Sequence, residues 1–193
     1  MNYWQGETIR LRGIEPGDAE HFYRWNQDSE RARQLDFVWP PTSLASVQAW
    51  AAEQSAQKLK DDAFHWVIEA RAGQPVGSIS THDCDRRNGT FSYGVDVAAE
   101  YRGNGYAAEA IRLILRYYFE ELRYHKVNVG VHSYNEASLR LHDRLGFVRE
   151  GVVREAVYTR GRYYDLVLFG MTAEEFRGTL ALHANHAATD QNG

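Results

Sequence analysis

The chain has 193 residues, 44% hydrophobic and 25% charged, with 12 Tyr and 5 Trp spread along it, which suits one domain with a substantial core. A net charge of −4 argues against nucleic acid as the main partner, because neutralising phosphates needs a basic face. No apolar run approaches the ~18–20 residues of a membrane span, and the start Met1–Glu7 lacks the pattern of a signal peptide, so no membrane partner is expected. One cysteine, Cys84, excludes an internal disulfide framework and fits a reducing, cytoplasmic setting.

Thr8–Ile14 alternates apolar and polar residues, which predicts a half-buried strand. Pro16-Gly17-Asp18 breaks it, and Asp18 can cap a helix running through Gln27 with His21, Phe22 and Trp25 on one stripe. Phe37–Pro41 ends in a double proline and reads as an extended connection. Ser43 then caps a helix whose Leu44, Val47, Trp50 and Ala51 share a face. His65–Ala70 and Val76–Ser80 flank Arg71–Pro75 as a β-hairpin, and a polar loop leads into a strand over Thr90–Val97. Tyr106–Leu122 is the strongest helix pattern. Lys126–His132 reads as a strand, Asn135–Leu145 as a helix ended by Gly146, and Val152–Thr159 with Arg162–Phe169 as a closing hairpin. The order β α α β β β α β α β β predicts a mixed α/β domain over 1–178, with 179–193 a disordered tail.

The segment Glu100–Ala107 follows a strand and opens a helix. Its glycines let backbone approach a ligand closely, and a helix start offers unpaired N–H groups at a positive dipole end, a combination that binds phosphate oxygens. Gly103-x-Gly105-x-x-Ala108 also satisfies the dinucleotide fingerprint. That reading fails on position: the motif lies mid-chain after hairpin strands. The candidate ribose-binding acids, Glu120 and Glu121, fall within a helix instead of ending the next strand. No lysine-bearing phosphate loop is present.

The chain resembles GNAT acetyltransferases, particularly the branch of ribosomal-protein N-terminal and polyamine acetyltransferases. The family's Gln/Arg-x-x-Gly-x-Gly/Ala loop is met by Arg102-x-x-Gly105-x-Ala107, and its Asn-x-x-Ser…Leu-Gly-Phe signature by Asn135–Ser138 and Leu145–Phe147. Glu150–Glu155 and Gly161-x-x-x-Asp165 resemble that branch's closing hairpin. The resemblance implies a mixed, mostly antiparallel twisted sheet flanked by helices, with a splayed strand pair, Thr90–Val97 and Lys126–His132, binding CoA. It further implies that Arg102, Gly103, Asn104, Gly105, Tyr106 and Ala107 hold the CoA pyrophosphate through backbone N–H groups. Val95, Asp96 and Val97 would pair with pantetheine, and Asn135 and Ser138 would contact the donor. Asn135 also reads as an N-cap, and both roles can hold at once.

The implied reaction is direct attack of a primary amine on acetyl-CoA, with no metal. Acceptors left open are protein or peptide N-termini, polyamines and small-molecule amines. The proton donor to the departing thiolate falls at His142, where many relatives carry tyrosine, or at Ser138. Relatives often place a glutamate base where Ser92 stands, and Ser92 could only hold a water in a relay. His82, Asp83 and Glu69 are other candidates, none singled out by spacing. Tyr134 and Tyr93 line either the acceptor cleft or the core. A non-catalytic acyl-CoA-binding protein of the same fold is the alternative, and the closing hairpin suggests a homodimer.

Overall fold

Ile9 and Leu11 are buried while Arg10 and Arg12 point the other way, the two-residue alternation that makes β1 (Ile9–Gly13) a strand with one face inside. The computed structural model describes residues 2–58 and 61–179. The chain groups into two compact units, Met1–Cys84 with Ser92–Tyr117 and Asp85–Phe91 with Tyr118–Gly193. Seven strands are present among the described residues, and the chain is a mixed α/β fold of mostly antiparallel strands, as the sequence predicts. The predicted tail lies outside the described residues but for Thr179.

In the first unit β1 pairs antiparallel with β2 (His65–Ala70), and β2 with β3 (Pro75–Asp85). A turn at Gly73 joins the latter two, with Ala70 N–H donating to Gln74 O at 2.9 Å. A 3₁₀ turn over Pro16–Asp18 leads into α1 (Ala19–Trp25). Next come α2 (Ser29–Leu35) and α3 (Leu44–Ala56). Ser43 caps α3 as expected, its hydroxyl accepting from Ser46 N–H at 3.1 Å. Ile14, Phe22, Trp25, Val47, Ala51 and Val67 form the core here. α2 is missing from the sequence prediction. It is seven residues long, carries Glu30, Arg31 and Arg33, and has almost no apolar stripe; the readable signal was its cap, Asp28, which accepts from Glu30 N–H at 2.9 Å and Arg31 N–H at 3.1 Å.

β4 (Thr90–Val97) and α4 (Tyr106–Glu120) begin where the sequence places them. In the second unit Phe91 stacks on Tyr118, ring centroids 4.2 Å apart, with Tyr124 edge-on at 5.4 Å. β5 (Lys126–His132) pairs antiparallel with β7 (Arg162–Thr172), which pairs with β6 (Val148–Thr159). α5 (Glu136–Leu145) stops at Gly146, whose φ of 86° is the left-handed helix end that glycine adopts without strain. β6 starts four residues earlier than expected, because Glu150-Gly151 forms a bulge instead of a break. A last helical segment over 173–179 was also unforeseen, although Thr172 and Glu175 are a capping box: Thr172 N–H donates to Glu175 Oε2 at 2.7 Å and Glu175 N–H to Thr172 Oγ1 at 3.2 Å.

Candidate active site

The glycine loop sits where the sequence puts it, at the end of β4 and the start of α4. Gly103 and Gly105 have φ of 83° and 80°, in the left-handed region. A Cβ built on either meets nothing within 4 Å, so no neighbouring atom of the chain excludes a side chain there; the backbone conformation is what calls for glycine. The intervening Asn104 folds back, Nδ2 donating to Tyr101 O at 3.0 Å and to Arg102 O at 3.4 Å. Glu109 N–H closes the first helical bond to Gly105 O at 3.1 Å, and the N–H groups before it in the helix start lie beyond the reach of intrahelical acceptors. Arg102 through Gly105 are exposed, with Tyr106 and Ala107 half-buried. Such a turn gathers N–H donors at a positive helix end, an arrangement suited to a diphosphate.

What braces the loop is side-chain chemistry. Arg102 Nε donates to Val97 O at 3.0 Å, tying the loop's first residue to the end of β4. One residue earlier, Asp96 turns its carboxylate into the interior and pairs with Arg31 of α2; both are buried. Burial pushes the Asp96 carboxyl upward and Arg31 opposes it, as expected for a charge removed from water and given one partner. The sequence offered Asp96 only as a backbone contact for pantetheine. Arg31 was missed altogether, since nothing local marks a partner 65 positions away.

At the start of α5, Asn135 Oδ1 accepts from Ser138 N–H at 3.1 Å, so the N-cap role is realised. Ser138 is half-buried. His142, which the sequence offers as a proton donor, lies in the core. It is 2% exposed, its ring packed against Phe147 and Phe169 at 5.0 and 5.3 Å between centroids. Burial lowers its pKa, with the hydrogen bond to Ser138 O opposing, so the ring is neutral at pH 7. Nδ1 lies 2.8 Å from Ser138 O, a carbonyl that can only accept, so Nδ1 carries the proton; the 3.4 Å approach of Ser138 Oγ is secondary.

The proposed bases separate in the same way. Glu69 is buried between Arg10 and Arg12; desolvation raises its carboxyl, but the hydrogen bonds from both arginines outweigh it and hold it below the ordinary range. That makes it part of a structural network with Asp18, which Arg12 grips through two bonds of 2.7 and 2.8 Å. His82 and Asp83 contact each other at 3.0 Å in an exposed pair. Tyr93 belongs to the core at 4% exposure, whereas Ser92 on the opposite face of β4 is half-buried. Among the described residues no group of three or more His, Cys, Asp or Glu could hold a metal, and no helix is long and apolar enough to cross a membrane.

Comparison with known proteins decides the family. Residues 8–148 match the acetyltransferase (GNAT) domain. The chain belongs to the GNAT acetyltransferase family. It is 44% identical over 176 residues to the SPbeta prophage-derived uncharacterized N-acetyltransferase YokL of Bacillus subtilis, covering 91% of this chain and 96% of the relative. It is 34% identical to the "Putative ribosomal N-acetyltransferase YdaF" of the same organism, covering 89% and 95%. Its fold matches that of spermidine N-acetyltransferase from Vibrio cholerae, solved in complex with CoA and spermine, with a TM-score of 0.76 at 21% identity over 87% of this chain and 97% of that one. This GNAT chain is therefore an acetyltransferase, and acetyl-CoA is the donor its family uses.

Proposed function

We propose that this acetyltransferase transfers the acetyl group of acetyl-CoA to a primary amine, and that its preferred acceptor is the α-amino group of a peptide or protein. The observation that carries the donor assignment is the Arg102–Ala107 turn, with two left-handed glycines at a helix start and Arg102 locked to Val97 O. Val95, Asp96 and Val97 are the backbone expected to pair with pantetheine in a strand-like way, and Asn135 and Ser138 the side chains expected to contact the donor. The α-amine preference rests on the greater likeness to the relative named for ribosomal N-acetylation than to the spermidine enzymes, 34% against 25% identity. An α-amine of pKa ~8 also loses its proton more readily than an aliphatic amine of ~10, which favours direct attack at neutral pH.

As proton donor to the departing sulphur, Ser138 is the better candidate of the two in α5. Its hydroxyl keeps a proton to donate, while the His142 Nδ1 proton is directed at a carbonyl. His142 then acts by holding the helix turn that presents Ser138. Ser138→Ala is expected to lower kcat about tenfold with CoA affinity unchanged. His142→Phe, which preserves packing, is expected to lower it less. A second copy of the chain fits the β6–β7 hairpin, where Val152, Val153, Tyr158 and Tyr163 are exposed at 55%, 46%, 61% and 61%. Sedimentation should then give a dimer, and a monomer at every concentration would count against it.

The acceptor reading is tested by competition. An α-amino peptide, the same sequence α-blocked but carrying lysine, and spermidine are offered together with acetyl-CoA, and products are identified by mass spectrometry. Acetylation of the α-amino peptide first is expected; exclusive acetylation of spermidine would move the acceptor to polyamines.

A further inference from the structure

His132 closes β5, and Tyr134 follows two residues later with its hydroxyl 2.8 Å from His132 Nδ1. The rings are tilted by 36°, centroids 5.1 Å apart. The turn carrying them is fixed at both ends: Ser133 N–H donates to Asp165 O at 2.9 Å and Asn135 N–H to His132 O at 2.8 Å. Tyr164 of β7 supports the Tyr134 ring edge-on at 4.8 Å, and Arg162 lies over Tyr164 at 4.5 Å with Nε donating to its hydroxyl at 2.6 Å. The nearby Asp165 carboxylate accepts from Glu155 N–H at 2.9 Å. Both members of the pair are half-buried, so solvent reaches them, and Tyr134 directly precedes Asn135.

A phenol hydrogen-bonded to an imidazole supplies what the other candidates lack. Ser92 is no base, Glu69 is paired with two arginines, and His142 is sealed in the core. An unprotonated imidazole nitrogen can take up a proton, and here one faces the Tyr134 hydroxyl at 2.8 Å. We propose that Tyr134 and His132 form the proton relay that deprotonates the acceptor, with the Tyr134 hydroxyl meeting the amine and His132 acting through it. The inference rests on the amine-acetylation reading above.

In this step the amine lone pair forms the C–N bond and the C–S pair departs on sulphur. The proton lost by nitrogen passes to Tyr134 Oη as the Tyr134 proton passes to His132 Nδ1. Ser138 gives its proton to the departing thiolate, and the proton held on the imidazolium returns through solvent to Ser138, giving amide and thiol with no other reagent. Tyr134 is the residue set against substrate; His132 is a positioning and proton-holding residue behind it.

His132→Asn leaves a hydrogen-bonding group near the Nδ1 position with no basicity, and Tyr134→Phe keeps the ring that packs on Tyr164. Each is expected to lower kcat/KM for the amine on the order of a hundredfold at pH 7.5, with CoA affinity by calorimetry unchanged. The amine's own titration is common to all variants. The ratio of wild-type to His132→Asn activity should therefore shrink toward one as pH falls below the imidazole range, which a purely structural contact would not produce. Either variant retaining kcat/KM within threefold of wild type, or a ratio independent of pH, overturns the relay. If His132→Asn does not fold, Tyr134→Phe decides alone. A wild type that binds CoA yet releases thiol with no amine would overturn the acetyl-transfer reading itself, whereas active wild type with fully active variants overturns only the relay.

Discussion

In the Arg102–Ala107 loop the chemistry on offer belongs to the backbone, exposed and shaped by two left-handed glycines. In the stretch Asn135–His142 it belongs to side chains, and two of them are spoken for: Asn135 caps the helix, and His142 fills the core with its Nδ1 proton directed at Ser138 O. The loop is held open from outside by Arg102 on Val97 O and, beneath it, by the buried Arg31–Asp96 pair. The helix start is held from within by its own cap and by the aromatic packing around His142. A cradle for a diphosphate needs free N–H groups on a rigid turn, so its supports lie behind it. A residue that must meet a reacting atom cannot also be sealed in a core, and the contrast therefore moves proton chemistry away from His142.

The supports of the loop give the largest expected effect. Arg31→Met leaves the Asp96 carboxylate buried without its cation and should destabilise the protein by about 3–5 kcal/mol in denaturant unfolding. A change below about 1 kcal/mol would mean the pair contributes little to holding β4.

Acid should weaken the packing around two histidines, His65 of β2 and His142 of α5. Burial pushes the His65 imidazole down to about 4 and lowers that of His142. Both folded values lie below the unfolded value near ~6.5, so the unfolded chain binds more protons between them. Stability is then complete above about pH 6.5 and falls as pH drops toward 4, by up to about 3 kcal/mol from His65 alone. Unfolding midpoints across that range, repeated with His142→Phe, give the share of each; a flat profile would contradict neutral rings in the folded chain.

Gly105→Val puts a β-branched side chain at a φ of 80° and should reduce CoA affinity at least about a hundredfold by calorimetry. Because its Cβ meets nothing in the protein, the melting temperature should shift only by the local strain of about 1–2 kcal/mol. Asn135→Ala is the smallest expected change: about 1 kcal/mol of stability for the lost cap. Any further loss of CoA affinity measures the donor contact separately from the cap.

Backbone features were legible in the sequence because their signals are local. The glycines of the loop, the caps Ser43 and Asn135, and the helix stop at Gly146 lie where spacing places them. α2 escaped because a short charged helix has no apolar stripe, and the helical segment over 173–179 because its Thr172–Glu175 capping box went unread. The site's side chains were less readable. Burial decides what His142, Tyr93 and Glu69 can do, and burial comes from packing between distant segments. The same holds for Arg31 with Asp96 and for Tyr134 with Tyr164, where the partners are separated in sequence and meet only in the fold.

Transfer of acetyl groups from CoA to amines is the activity proposed for this chain. It is tested most directly by following thiol release from acetyl-CoA over a panel of α-amino peptides, spermidine and small primary amines, with Gly105→Val as the control. Amine-dependent thiol release in the wild type and its loss in the variant are expected. A wild type that binds acetyl-CoA and releases no thiol with any amine, or a variant as active as the wild type, would contradict it.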